Sequence, residues 1–143
     1  MAHLGTTTPP GQHVGFTRLL QSLLVAAVLV SIVHYVDNVV RFEDYAPDEA
    51  GLVTAPLVAA SWFVFTGFGL WGYLSYRRGR YRSATVGLGV YSVSGLVGIV
   101  HYREVSPSDF DPVQNTFVLL DIVLGAAILA VACRLAWRPP GGT

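Results

Sequence analysis

His34, Asp37, Asn38 and Arg41 fall within two helical turns at the end of a long apolar run, in the stretch SIVHYVDNVVRF over residues 31–42. A near copy, GIVHYREV, returns at 98–105 and supplies His101 and Arg103, and Asp121 interrupts a further apolar run over 113–133. Ionisable side chains are costly in hydrocarbon, so such groups face a protein interior and find partners there. Ser31, His34, Asn38 and Arg41 follow the three-and-four spacing of one helix face, with Asp37 beside them. Gly87, Ser94, Gly98 and His101 share a second face, and Gln114, Asp121, Gly125 and Ala132 a third. At 1.5 Å per residue, His34 lies roughly 10 Å below Arg41 and Asp121 about 12 Å in from Val113, so the two can meet.

Four chemistries compete for this cluster. In the first the groups satisfy one another: His34 bonds Asp121, Arg41 or Arg103 pairs with Asp37, and Asn38 bridges helices. In the second His34, Asp37, His101 and Asp121 hold a transition metal such as zinc, iron or copper, with Asn38 and Arg41 as polar support. No HExxH, paired ExxH or cysteine cluster accompanies them. In the third His34 and His101 ligate haem b from opposite sides, with Gly87, Gly89, Gly95 and Gly98 leaving space for the porphyrin. In the fourth the histidine and carboxylate shuttle protons or serve a small transported solute. No GxSxG elbow occurs and Ser61 has no base at a recognisable spacing, so no catalytic motif is present and enzymatic activity is not expected. The expectation is a binding site at the cluster, with a metal ion as its most specific candidate ligand. The alternatives are an accessory subunit of a larger membrane complex, with Ala55, Ala59, Gly67 and Gly69 as contact surfaces, and a b-type haem electron-transfer protein.

The elements that must position these groups follow from composition. With 52% hydrophobic and 13% charged residues in a chain of 143, there is too little polar surface to coat a soluble globule. Four stretches, at 19–40, 52–74, 83–102 and 113–133, have the roughly 20 apolar residues needed to cross a bilayer. The first is too long and lacks the polar boundary of a cleaved signal peptide. Short connections make neighbouring spans antiparallel, so the fold class is an all-α integral membrane protein, a four-helix up-down-up-down transmembrane bundle. The matching pentads at 31–35 and 98–102 raise the reading of two repeated helical hairpins. The whole chain is one domain, with disordered tails at 1–13 and 138–143.

Charge sets the orientation. With the amino terminus cytoplasmic, Arg18, Arg77, Arg78, Arg80, Arg82, Arg134 and Arg138 lie inside, while Glu43, Asp44, Asp48, Glu49, Glu104, Asp109 and Asp111 lie outside. Both termini are therefore expected in the cytoplasm and the protein in the plasma membrane. Its partners are the lipid bilayer and, in the accessory reading, other membrane subunits or itself; the net charge of zero offers nothing to nucleic acid. Trp71, Tyr73, Tyr76, Tyr81 and Trp137 are expected in an inner aromatic belt, and Phe42, Tyr45, Tyr102 and Phe110 in an outer one. The single cysteine, Cys133, reads as a small packing residue.

Overall fold

The structure, a computed structural model, describes residues 10–45, 53–104 and 106–138, with side chains described over 14–43, 53–103 and 106–138. The tails at 1–9 and 139–143, His3, and Asp48 and Glu49 of the first acidic loop lie outside the described residues. The chain runs α1 (Pro10–Val40), the short α2 (Phe42–Tyr45), α3 (Ala55–Arg77), α4 (Tyr81–Leu96), a 3₁₀ segment (Val97–Val100), the short α5 (His101–Glu104) and α6 (Pro112–Trp137). Four helical stretches are long and apolar enough to cross a membrane: Val14–Val40, Ala55–Arg77, Tyr81–Arg103 and Pro112–Trp137. Among the described residues the fold is all-helical, as the sequence predicts.

Local chemistry fixes the ends. Thr54 caps α3 by accepting from the Leu57 amide, and Asp111 caps α6 in a reciprocal capping box with Gln114, with Pro112 opening the helix where its missing N–H costs nothing. Between α3 and α4 the chain reverses within three residues because Gly79 adopts φ of 70°, a left-handed conformation that glycine takes without steric cost. Helix α1 departs from the sequence expectation. It opens at Pro10, so residues 10–13 are helical although they were expected in the tail. The extra turns hold because Phe16 packs on the Tyr76 ring at 5.7 Å and under the Arg134 guanidinium at 5.3 Å, while the Thr17 hydroxyl bonds that of Tyr76 at 3.0 Å.

Each long helix packs against its neighbours in sequence, and α1 closes the ring on α6; the α4–α6 seam is the tightest and the α1–α3 seam the loosest. Glycine sets the tight seams. A Cβ on Gly95 would meet the Asp121 carbonyl, and one on Gly125 would lie 2.9 Å from the Ser92 carbonyl. Gly72 and Gly87 make the corresponding contact between α3 and α4, where a Cβ on Gly87 would come within 2.7 Å of the Gly72 Cα. Small residues at these crossings let backbones touch, as they do where helices pack without help from a hydrophobic drive.

The interior divides into two halves. Toward the RRGRYR loop it is apolar, built from Leu20, Ala27, Leu88, Ile128, Val131 and Leu135. Toward the acidic loops it is polar, with Ser31, His34, Asn38, Ser94, Gln114 and Asp121 all buried. Many large apolar side chains point outward instead, Leu29, Phe63 and Val123 among them. Two residues expected in the aromatic belts are core residues: Tyr76 joins the apolar half, and Phe110 is buried against Val118. Both are drawn in by other rings: Tyr76 packs on Phe16 and Tyr81, and Phe110 meets Tyr102 edge to face at 5.8 Å.

The glycine crossings make a direct prediction. Gly95→Ala should lower stability by about 1–3 kcal/mol through forced separation of α4 and α6. Gly89→Ala, where a Cβ meets nothing within 4 Å, should raise stability by about 0.5–1 kcal/mol through helix propensity. Thermal unfolding in detergent of the two variants side by side checks the contrast.

Candidate functional site

Three of the four long stretches bring the cluster together. On α1, the spacing of Ser31, His34 and Asn38 puts all three inside, while Arg41, one turn further, is exposed. On α6, Gln114, Asp121, Gly125 and Ala132 are all buried, as their common face requires. On the third stretch, Gly87, Ser94 and Gly98 are buried and His101 is half-buried.

The central contact joins α1 to α6. His34 Nδ1 lies 2.8 Å from Asp121 Oδ2, and the two side chains are 2% and 4% exposed. With the carboxylate ionised, Nδ1 carries the proton and donates it, which fixes the tautomer. Against the other side of this pair stands His101, whose ring meets that of His34 edge to face at 5.8 Å between centroids. That proximity depends on the winding of the third stretch. Between Val97 and Val100 the helix tightens to 3₁₀, which rises about 2.0 Å per residue instead of 1.5. The tighter winding carries His101 further along the axis and turns it toward His34. It also distinguishes the two pentads, since residues 31–35 lie in uninterrupted α-helix and 98–102 straddle the 3₁₀ turn.

Several polar groups surround the pair. Trp62 of α3 donates its indole N–H to Ser31 Oγ at 3.0 Å, and Ser31 in turn donates to the Val28 carbonyl. The Gln114 Oε1 accepts from the Asp111 amide at 3.2 Å as part of the capping box. Its Nε2, and the Oδ1 of Asn38, are buried without a hydrogen bond among the described residues. Near the rim Tyr102 donates its hydroxyl to Asn115.

The expected set of metal ligands is not assembled. Asp37 is turned to Arg41, with Oδ1 3.4 Å from Nε at the i, i+4 spacing, and leaves the cluster. Asp121 engages the imidazole of His34 rather than standing beside it as a parallel donor. Among the described residues no group of three or more His, Cys, Asp or Glu is arranged to hold a metal ion. Of the four residues expected as metal ligands, the structure brings His34 and Asp121 together as a pair with His101 in contact, and places Asp37 apart with Arg41. Arg41 supports Asp37 and not the interior; Asn38 remains inside.

Haem fits no better. A porphyrin needs a wide slot between the two imidazoles, and the glycines expected to provide it are used for packing. The space beside Gly98 is bounded by Ile122, Val118 and the His34 ring within 4 Å, and Gly87 and Gly95 lie against the backbone of the facing helix. The two imidazole rings stand in direct edge-to-face contact, with no slot between them.

Sequence reasoning passed over Tyr91 and Trp62. Tyr91 was within reach, because 87, 91, 94 and 98 continue the same three-and-four face. Trp62 carried no comparable signal, since an indole in an apolar span reads first as lipid-facing.

The His34–Asp121 bond should behave as an interhelical lock. In a double-mutant cycle with His34→Phe and Asp121→Asn, unfolding in mixed micelles should return a coupling of about 0.6–1.7 kcal/mol. Additive single effects would mean that the contact does not form. No protein-family model matches this chain, and neither does any curated protein or solved structure.

Proposed function

We propose that the chain is a multi-pass protein of the plasma membrane, with both termini cytoplasmic, and that the polar half of its bundle is a proton-binding centre facing the opposite side. Seven of the nine arginines gather at the ends taken as cytoplasmic, which supports that orientation under the positive-inside rule. The observation that carries the reading is the buried His34–Asp121 bond with a second imidazole against it. An ionisable pair inside a membrane bundle is expensive, and functional use is the default inference from its presence.

A proton on this cluster would be shared among groups in contact: Asp121 accepts from Nδ1 of His34, and the His101 ring lies against that of His34. Asn38, one turn outward on α1, and Gln114, two turns outward on α6, extend the polar interior toward the acidic loops. Toward the arginine-rich loop the interior closes in Leu20, Ala27, Leu88 and Ile128. A proton thus enters and leaves by one face, which favours a responsive binding centre over a conduit across the bilayer.

The test is nitrogen-15 nuclear magnetic resonance of both imidazoles of the full chain in nanodiscs over a range of about pH 3–8. Protonation at either ring should change the signals of both, and Asp121→Asn should abolish that coupling. Independent titration of two ordinary imidazoles would end this reading.

A second reading, the accessory subunit, draws on α3, of whose most apolar stretch only 11% is buried within the chain. A membrane partner or second copy seated there would work through the proton centre on the opposite side of the bundle. Purification in mild detergent together with native neighbours should yield a stoichiometric companion in that case; a lone monodisperse chain would exclude it.

A further inference from the structure

Toward the RRGRYR loop the four long helices are tied by a chain of aromatic contacts. The Thr17 hydroxyl of α1 bonds that of Tyr76 on α3 at 3.0 Å, Phe16 packs on the Tyr76 ring, and Tyr76 meets Tyr81 of α4 at 6.1 Å between centroids. Phe16 also carries the guanidinium of Arg134, from α6, over its face at 5.3 Å. These contacts set Thr17, Tyr76, Tyr81 and Arg134 at one level of the bundle. Thr17, Tyr76 and Tyr81 are each followed directly by an arginine, about 1.5 Å along the helix. Arg18, Arg77, Arg82 and Arg134 therefore form a collar, one guanidinium from each long helix, and all four are exposed.

The charge of this collar has no counterpart in the chain around it. No aspartate or glutamate occurs in residues 1–36, 50–103 or 122–143. The ion pairs among the described residues, His34 with Asp121 and Arg41 with Asp37, lie in the other half. Arg77 donates to the neutral Tyr73 hydroxyl at 3.2 Å, and Arg134 rests on a phenyl face. Stacking uses the flat face of a guanidinium and leaves its in-plane N–H donors, which match phosphate geometry, for another partner. Orientation alone asks for basic residues in the loops. Arg18 lies instead eight residues into α1, and Arg134 three residues before the end of α6.

Each arginine has an exposed apolar neighbour on the side toward the middle of its helix: Leu19, Leu74, Val86 and Leu129, within five residues in every case. A partner that satisfies both features carries negative charge at one end and hydrocarbon beyond it. A soluble polyanion meets only the first requirement, and a zwitterionic lipid brings a cation beside its phosphate. We propose that the collar binds the headgroups of phospholipids with net negative charge, such as phosphatidylglycerol, whose acyl chains lie along the exposed apolar residues. Clusters of basic side chains at the cytoplasmic ends of membrane spans recognise acidic lipids in this way. The proposal rests on the membrane placement put forward above and is independent of the proton centre.

The test is quenching of tryptophan fluorescence by phospholipids brominated on their acyl chains, with the full chain in nanodiscs that mix phosphatidylglycerol and phosphatidylcholine. Trp71 and Trp137 lie six and three residues from collar arginines and report on the lipid beside them. The ratio of quenching by the two brominated lipids gives their relative affinity. Phosphatidylglycerol should be preferred about fivefold in about 0.1 M salt, the worth of roughly one basic residue at an anionic surface, and the preference should fall toward unity in about 1 M salt. Changing Arg18, Arg77, Arg82 and Arg134 together to glutamine should abolish the preference at native helix content, whereas Arg103→Gln, in the other half, should leave it intact. Equal affinity for the two lipids in the unaltered chain, or a preference that survives high salt, would overturn the proposal whether or not the quadruple variant folds. So would a preference kept by a folded quadruple variant, or one lost on adding millimolar inorganic phosphate, which would mark a site for soluble anions. A chain that does not enter the discs would overturn the membrane placement itself, and the proposal with it.

Discussion

The cost of placing an imidazole and a carboxylate in a water-poor interior governs this structure. Either group alone would carry a penalty of several kcal/mol, and each makes the other tolerable only at hydrogen-bond distance. The 2.8 Å contact between His34 and Asp121 therefore constrains where α1 stands relative to α6. In a membrane, for which the four helices are long and apolar enough, apolar contacts alone would fix this position poorly, because lipid tails satisfy an apolar helix face as well as a neighbouring helix does.

A second constraint acts through the backbone. The carbonyl of Asp121, the same residue that bonds His34, is where a Cβ on Gly95 would fall, and Gly125 one turn later rests on Ser92. Residue 121 is thus held by its side chain to α1 and by its main chain to α4. Immediately beyond Gly95 the third stretch changes to 3₁₀ winding and then presents His101.

Much of this was legible in the residues, and for a clear reason. The four spans depend on length and apolarity, which composition states directly, and the buried faces depend on a period of 3.6, which Ser31–His34–Asn38 and Gln114–Asp121–Gly125 display without ambiguity. The His34–Asp121 bond follows from the same period together with the rise per residue. What escaped were matters of rotation and winding. Asp37 neighbours His34 in sequence but sits about 60° off the inward face, near enough to Arg41 to pair with it instead, so a metal set that counted it could not assemble. His101 depends on a 3₁₀ segment that no local residue pattern announces. The helical start at Pro10 depends on contacts between Phe16, Tyr76 and Arg134, residues distant in sequence.

The division of the interior also bears on how the chain can act. A transporter of ions needs polar groups through its full depth, and here the interior between Ser31 and Ser92 on one side and Ser75 on the other is filled by Leu20, Leu88, Ile128 and Leu135. The polar half is instead closed from the side by Trp62, whose indole bonds Ser31 and separates the interior from the α1–α3 seam. Tyr91 stands on the border: its ring packs in the apolar core and on Gly69, and its hydroxyl points toward Ser31. One side chain therefore touches both the apolar core and the polar half of the bundle, and Tyr91, Ser31 and His34 mark the line along which one gives way to the other.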